Sequence, residues 1–157
     1  LINHRRRSAR WHGASQKVRL SAAPLFLDRI DIQCEIQPVP FSDISTTKPG
    51  EPSSEIRRRV IAARAIQEER YKDFKEIHCN AQMTESMIHK YAVPEEAGFR
   101  LLSNAMERLS LSARAYSRIL KVARTIADLD ASPSVSALHI AEAIGYRNLD
   151  RGDWAER

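Results

Sequence analysis

From residue 55 to the C-terminus, apolar residues recur at the spacing of an α-helix. The clearest case follows Ser112, where the apolar positions step by 4, 3, 4 and 3 residues: Ala115, Ile119, Val122, Ile126 and Leu129. Such steps place the side chains on one face of a helix, whereas a strand would need alternation every second residue. This half of the chain is therefore predicted to form a bundle of four to five helices.

The predicted helices begin at residues that are typical of helix N-termini. The first is expected from Glu55, after the N-cap Ser54, to about Phe74, and the later ones begin near Thr84, Pro94, Ser112 and Ser136. Apolar residues expected to face inward on the helices not yet described are Ile56, Val60, Ala63, Ile66, Leu101, Leu102, Ala105, Met106, Leu109, Leu138, Ile140, Ala141 and Ile144.

One segment alternates with a period of two instead. Ile30, Ile32, Cys34 and Ile36 alternate with polar residues, which predicts a half-buried strand that ends at the prolines of 38–40. Residues 41–54 are rich in Ser, Thr, Pro and Gly and are interpreted as a linker. Because a lone strand cannot complete its own hydrogen-bond ladder, the pattern indicates a mainly α chain attached to one β-strand of a larger α/β domain.

The positive charge is concentrated at the N-terminus. Six of the 25 Lys and Arg residues lie in the first 19 positions, which hold no acid, and the other 19 are balanced by 20 Asp and Glu residues. Residues 1–24 are interpreted as a basic tail, either a disordered or non-native end or an arm that binds nucleic acid. No apolar run approaches the length of a membrane span, and two cysteines without a metal or disulfide spacing favour the cytoplasm.

Motifs for self-contained catalysis are missing from the sequence. None of the five glycines is followed by the Lys-Ser/Thr pair of a phosphate-binding loop. His78, Cys79 and His89 lack metal-ligand spacing, so no metal site is predicted.

Two arginines occupy unusual positions. Arg29, with Asp28, interrupts an apolar run, which places it at a strand mouth or in an exposed turn. Arg114 lies in the first turn of the helix capped by Ser112, where a cation opposes the helix dipole but where phosphate is attracted. Arg114, Arg118 and Lys121 form a basic stripe that fits either an anion site or an ordinary solvated helix face.

Several segments resemble the magnesium-chelatase-like AAA+ ATPases of the ComM/YifB family. They are PLFLDRIDIQCEIQPVPFSDIS, IRRRVIAARAIQEERY (56–71), LSARAYSRILKVARTIADL (111–129) and HIAEAIGYRNLDRGDW (139–154). These motifs occur in the family's order and cover the chain from about Leu25 onward. The resemblance implies residues 25–40 as the last strand region of the AAA+ core, 41–54 as a linker and 55–157 as the helical lid.

The resemblance also implies roles for the two arginines. Arg29, in the LDRID motif, is similar to the arginine finger that reaches the ATP of a neighbouring subunit. Arg114, in the LSAR motif, is similar to the sensor-2 arginine that contacts the γ-phosphate, with Arg118 beside it as a second nucleotide-binding candidate. In the intact protein, ATP and Mg²⁺ would be the cofactors. The partners would be the neighbouring subunits of a homo-oligomeric ring, expected to be a hexamer. The ring would couple ATP hydrolysis to remodelling of DNA or movement along it.

The departures from the family pattern leave other interpretations open. The chain has one residue more than the family's Pro-Leu-Leu-Asp, residues 1–23 do not match, and the Walker motifs are absent. The chain is therefore expected to be inactive alone, as a fragment, a truncated reading frame or a degenerate paralogue. The alternatives are the lid of a magnesium chelatase subunit and a non-catalytic helical module that binds nucleic acid through the basic tail.

Overall fold

The structure is a computed structural model that describes residues 29–34, 36, 38–39 and 50–147, and this part of the chain is mainly α-helical. The helices are α1 (Ser53–Tyr71), α2 (Glu85–Tyr91), α3 (Glu96–Arg108), α4 (Ala113–Leu129) and α5 (Ala137–Gly145), with a 3-10 turn at Asn80–Gln82. Among the described residues, no helix is both long enough and apolar enough to cross a membrane.

Helix α4 lies at the centre of the bundle. It packs against α1, α2, α5 and the 3-10 turn, while α3 packs against α5. The buried face of α4 carries Ile119, Leu120, Ala123 and Ala127, each at most 2% exposed. Of the stripe predicted from the spacing after Ser112, Ala115, Ile119 and Ile126 are buried, whereas Val122 is half-buried and Leu129 is 43% exposed. The predicted helix is confirmed, and its buried face is shifted toward Leu120, Ala123 and Ala127.

Small residues and caps fix where the helices begin. Ser112 Oγ accepts a hydrogen bond from the amide of Ala115 at 3.1 Å, which confirms the predicted cap of α4. Ser136 forms a capping box at the start of α5, in which its own amide donates to His139 Nδ1 at 3.1 Å. A His takes the place that Glu or Gln usually holds in this motif.

The turns after α3 and α4 both use a left-handed residue that is not glycine. Ser110 has φ 50° and Ala131 has φ 51°. After α4, the amide of Ala131 donates to the carbonyl of Asp128 and the amide of Ser132 to that of Ala127. This pair of bonds is the Schellman motif, which closes a helix C-terminus. The equivalent turn after α3 sets the direction in which α4 begins.

A buried polar cluster joins α1 to α4 on the side of the bundle held by the 3-10 turn. The Asp128 carboxylate is 0% exposed and accepts hydrogen bonds from Arg70 Nη1 at 2.7 Å, Asn80 Nδ2 at 2.7 Å and Arg124 Nε at 3.1 Å. Burial by itself raises the pKa of Asp128, but the bonds from Arg70 and Asn80 and both guanidinium charges hold it below its ordinary value. The hydrogen bond to Asp128 raises the pKa of Arg70, whereas burial lowers that of Arg124.

The mainly α fold class is confirmed, but the predicted strand is not. In the described part of 29–39, Gln33 donates its amide to the carbonyl of Tyr146 at 2.8 Å, and no ladder forms. The predicted pattern of burial is also reversed at three positions, because polar Gln33 is buried while Ile32 and Ile36 are 52% and 89% exposed. The described residues have only one β-bridge, an isolated parallel pair between Pro94 and Val135.

Helix α1 begins earlier than predicted and exposes more of its apolar stripe. The N-cap is Pro52, in an extended conformation and without a side-chain capping bond, so Ser54 lies inside the helix. Ala63 is buried as predicted, but Ile56 and Val60 are 44% and 47% exposed. The stripe is buried only where α1 meets α4. Other apolar residues that were expected to face inward but are exposed are Leu101, Leu129, Leu138 and Ala141.

Candidate functional site

A pocket of about 540 Å³ lies beside the first turns of α4. Helix α4 forms one wall, and α2, the 3-10 turn and Asp31 complete it. The lining residues are Asp31, Ala81, Glu85, His89, Ala113, Arg114, Tyr116, Ser117, Arg118 and Lys121. All three members of the predicted basic stripe therefore line one pocket.

The three basic residues differ in how far they are exposed and in the bonds that the structure gives them. Arg114 is exposed in the first turn of α4, next to the capped end. One turn further on, Arg118 is only 24% exposed in its side chain and forms an ion pair with Asp31. Lys121 donates to the carbonyl of Ala81 at 3.0 Å, which ties α4 to the 3-10 turn. Arg118 and Lys121 are therefore only partly exposed, and each is bonded to another part of the molecule.

The chemistry of the lining suits an anion better than a metal ion. Arg114 and Arg118 lie in the first two turns of the 17-residue helix α4, whose dipole also favours negative charge at this end, and Lys121 follows in the third turn. The two acids of the pocket are already engaged, since Asp31 pairs with Arg118 and Glu85 accepts from Ser117 Oγ at 2.9 Å. No cluster of His, Cys, Asp or Glu that could hold a metal ion occurs in the described ranges.

Arg29, the other predicted site residue, does not line this pocket. It is exposed in a turn at the start of the described segment 29–34, and its neighbour Asp28 lies outside the described residues. Asp31, two residues further along, does reach the pocket. The structure thus brings Arg114 and Arg118 together in one pocket and places Arg29 outside it, two residues before Asp31 in the chain.

Sequence reasoning missed Asp31. In the predicted strand Asp31 was one of the polar residues alternating with isoleucines, and nothing in that pattern distinguishes it from Glu35. Its partner Arg118 lies 87 residues away in the sequence. The signal that could have drawn attention to it was its position inside the LDRID motif, beside Arg29.

Comparison with known proteins gives the chain a family. Residues 50–147 match the family described as magnesium chelatase, subunit ChlI C-terminal. Over 127 residues, or 80% of this chain, the sequence is 40% identical to the YifB protein of Salmonella typhimurium, 39% to YifB of Escherichia coli and 38% to the competence protein ComM of Haemophilus influenzae. The chain belongs to the ComM/YifB family of magnesium-chelatase-like proteins.

The family match covers all five of the described helices. It begins just before α1 and ends two residues after α5, so α1 to α5 are the magnesium-chelatase-like C-terminal domain. The chain spans about a quarter, 24%, of the length of these relatives. The pocket beside α4 is thus a feature of one domain of a longer type of protein.

Proposed function

We propose that this ComM/YifB-type domain is the lid of an AAA+ ATPase and that Arg114 contacts the terminal phosphate of ATP. The observation that carries the proposal is the pocket beside α4, which Arg114, Arg118 and Lys121 line along one face of a helix with a capped N-terminus. A guanidinium fixed next to a transferred phosphoryl group stabilises the charge that develops on it. Arg114 is itself exposed in the first turn of α4.

The pocket fits the phosphate end of the nucleotide and not the metal ion. Arg114 and Lys121 lie beside the ion pair of Arg118 with Asp31, and their positive charge complements a polyphosphate, while the described residues offer no group of ligands for Mg²⁺. In this proposal the metal and the phosphate-binding loop come from the nucleotide-binding part of the longer protein. ATP then supplies the transferable phosphoryl group, and this domain supplies positive charge and position.

Arg29 is proposed as the arginine finger toward a neighbouring subunit. It is exposed and lies outside the pocket that holds Arg114, which suits a residue that acts on another nucleotide site. The intact protein would then be a ring, with a hexamer as the expected form, in which each interface brings an arginine to a nucleotide.

We further propose that the ring uses ATP hydrolysis to remodel or move along DNA. Support comes from the ComM/YifB branch, which includes a protein named for competence in Haemophilus influenzae. The experiment is steady-state ATP turnover by the intact protein, with and without DNA, on the wild type and on Arg114→Ala. Loss of turnover without unfolding supports the lid assignment, and unchanged turnover contradicts it.

A further inference from the structure

The segment 29–34 is fastened to the helical domain by three contacts. The carbonyl of Ile30 accepts from Arg147 Nη1 at 2.9 Å, and the amide of Gln33 donates to the carbonyl of Tyr146 at 2.8 Å. Between them, Asp31 forms the ion pair with Arg118. Two of these contacts reach the C-terminal end of α5 and the third reaches α4, so the segment bridges two helices.

The ion pair is the one side chain to side chain contact among these three. Asp31 is 48% exposed in its side chain and Arg118 only 24%. The Arg118 Nε atom is buried and has no hydrogen-bond partner among the described residues. The guanidinium of Arg118 is thus half withdrawn from water, and its bond to Asp31 is what compensates for that withdrawal.

Arg29 lies two residues before Asp31, so the ion pair that fixes Asp31 also limits where the backbone of Arg29 can lie. Two residues of extended chain span at most about 7 Å. A carboxylate held on α4 therefore restricts the space that Arg29 can reach, although Arg29 itself is exposed. Without the ion pair, the segment would keep the contacts of Ile30 and Gln33 at the end of α5 but would lose its contact with α4.

We propose that Asp31 and Arg118 are positioning residues that carry Arg29 on the same rigid unit as Arg114. A movement of the helical domain would then move both arginines together. The nucleotide pocket of one subunit would in this way be coupled to the neighbouring subunit's nucleotide site, toward which Arg29 is proposed to point. The docking of the segment stands on the contacts alone, while its consequence for ATP turnover rests on the proposed function. The predicted linker at 41–54 lies between Arg29 and the helices in sequence. The contacts of Ile30, Asp31 and Gln33 nevertheless hold the segment against α4 and the end of α5.

The docking is tested on this chain by charge reversal. The variants are Asp31→Arg, Arg118→Asp and the two combined, and the readout is hydrogen exchange of the Gln33 amide relative to the core amides of α4. Each single variant should speed exchange of Gln33 about fivefold, the size expected for a partly exposed ion pair. The double variant should restore the slow rate.

Core amides serve as the folding control. A variant that merely unfolds would speed exchange at Ile119 and Ala123 as much as at Gln33, whereas undocking changes Gln33 alone. Arg100→Asp, which reverses a charge in the exposed pair with Glu96, should leave Gln33 unchanged. Equal Gln33 rates in the wild type and both single variants, or no restoration in the double variant, would overturn the docking.

The functional consequence is tested in the intact protein with the same variants. Each single reversal should reduce ATP turnover several-fold, and the double variant should recover most of it, a rescue that a merely local structural role at either residue would not give. If exchange of Gln33 responds but turnover does not, the docking stands and the proposed role of Arg29 fails. If the double variant restores neither exchange nor turnover, the positioning role itself is wrong.

Discussion

Arg114 and Arg118 show that two similar residues on one helix face can lie in different environments. Both were identified from their spacing on α4, and both line the pocket. Their exposure differs, because Arg118 is half-buried in its ion pair with Asp31, whereas Arg114 is exposed at the capped end of the helix. A periodic pattern assigns residues to a face, but it cannot tell which of them meets a distant carboxylate.

The buried carboxylate of Asp128 on α4 is linked to α1 through Arg70. Asp128→Asn keeps the shape of the side chain but leaves the guanidiniums of Arg70 and Arg124 uncompensated. We expect the free energy of unfolding to fall by about 3–5 kcal/mol, the usual cost of breaking a buried ion pair. Urea denaturation at neutral pH measures this loss. Glu96→Gln, in the exposed pair with Arg100, is the matched control and should have little effect.

The same carboxylate adds an acid-sensitive component to stability. Because its folded-state pKa lies below the ordinary value of 3.8, Asp128 stabilises the fold above that pH, and the contribution is lost as the pH falls through the lower folded-state pKa. Asp128→Asn should therefore lack this component. An equal dependence of stability on pH below 4 in the wild type and the variant would contradict the assignment.

At the scale of elements, helices were easier to predict than their ends. Ser112 and Ser136 cap α4 and α5 as expected, because a hydroxyl before an apolar stripe has a direct role at a helix N-terminus. The C-terminal turns gave no signal, since Ser110 and Ala131 hold left-handed positions where glycine is the usual marker. The start of α1 was missed because Pro52 caps it without a side-chain bond.

The left-handed alanine after α4 leads to a prediction of increased stability. Ala131→Gly should raise the free energy of unfolding by about 0.5–1 kcal/mol, since glycine adopts φ 51° without the steric cost that a Cβ brings. Thermal and urea denaturation measure the change. Ala141→Gly, at an exposed position inside α5, should lower stability by a similar amount. Destabilisation by both variants would show that the turn after α4 is not strained.

At the scale of the whole molecule, the mainly α class followed from periodicity, and the family followed from its motifs. The predicted strand was not confirmed, since period two identifies an extended segment but not its partner. Segment 29–34 makes its contacts with α4 and the end of α5. Contacts between residues so far apart in the sequence cannot be predicted from the spacing of neighbouring residues. The basic tail and the ends of the chain lie outside the described residues.

The helical domain is expected to fold without the segment that docks on it. The piece 50–157 contains α1 to α5 and all the core residues of the bundle. It should give a helix-rich circular dichroism spectrum and a cooperative melt, at a lower temperature than the whole chain because the contacts of Asp31, Ile30 and Gln33 are lost. A coil spectrum would mean that residues before 50 are needed to complete the core.

The most direct test of the proposed lid function is the ATP turnover of the intact protein with Arg114 replaced. Arg114→Ala should melt near the wild-type temperature, because a cation in the first turn contributes little to its helix. Its turnover should fall by a factor between about 10 and about 1,000, below the 10³–10⁵ reported for arginine fingers. Arg114→Lys should recover only part of it, since an ammonium lacks the planar fork of a guanidinium.

Arg100→Ala is the matched control, an exposed arginine on α3 that does not line the pocket, and it should retain full turnover. The measurement is steady-state ATP hydrolysis by the three variants and the wild type, beside their thermal melts. A folded Arg114→Ala variant with greatly reduced turnover is the result that we predict. A folded Arg114→Ala variant that hydrolyses ATP as fast as the wild type would contradict the assignment of this domain as a nucleotide-sensing lid.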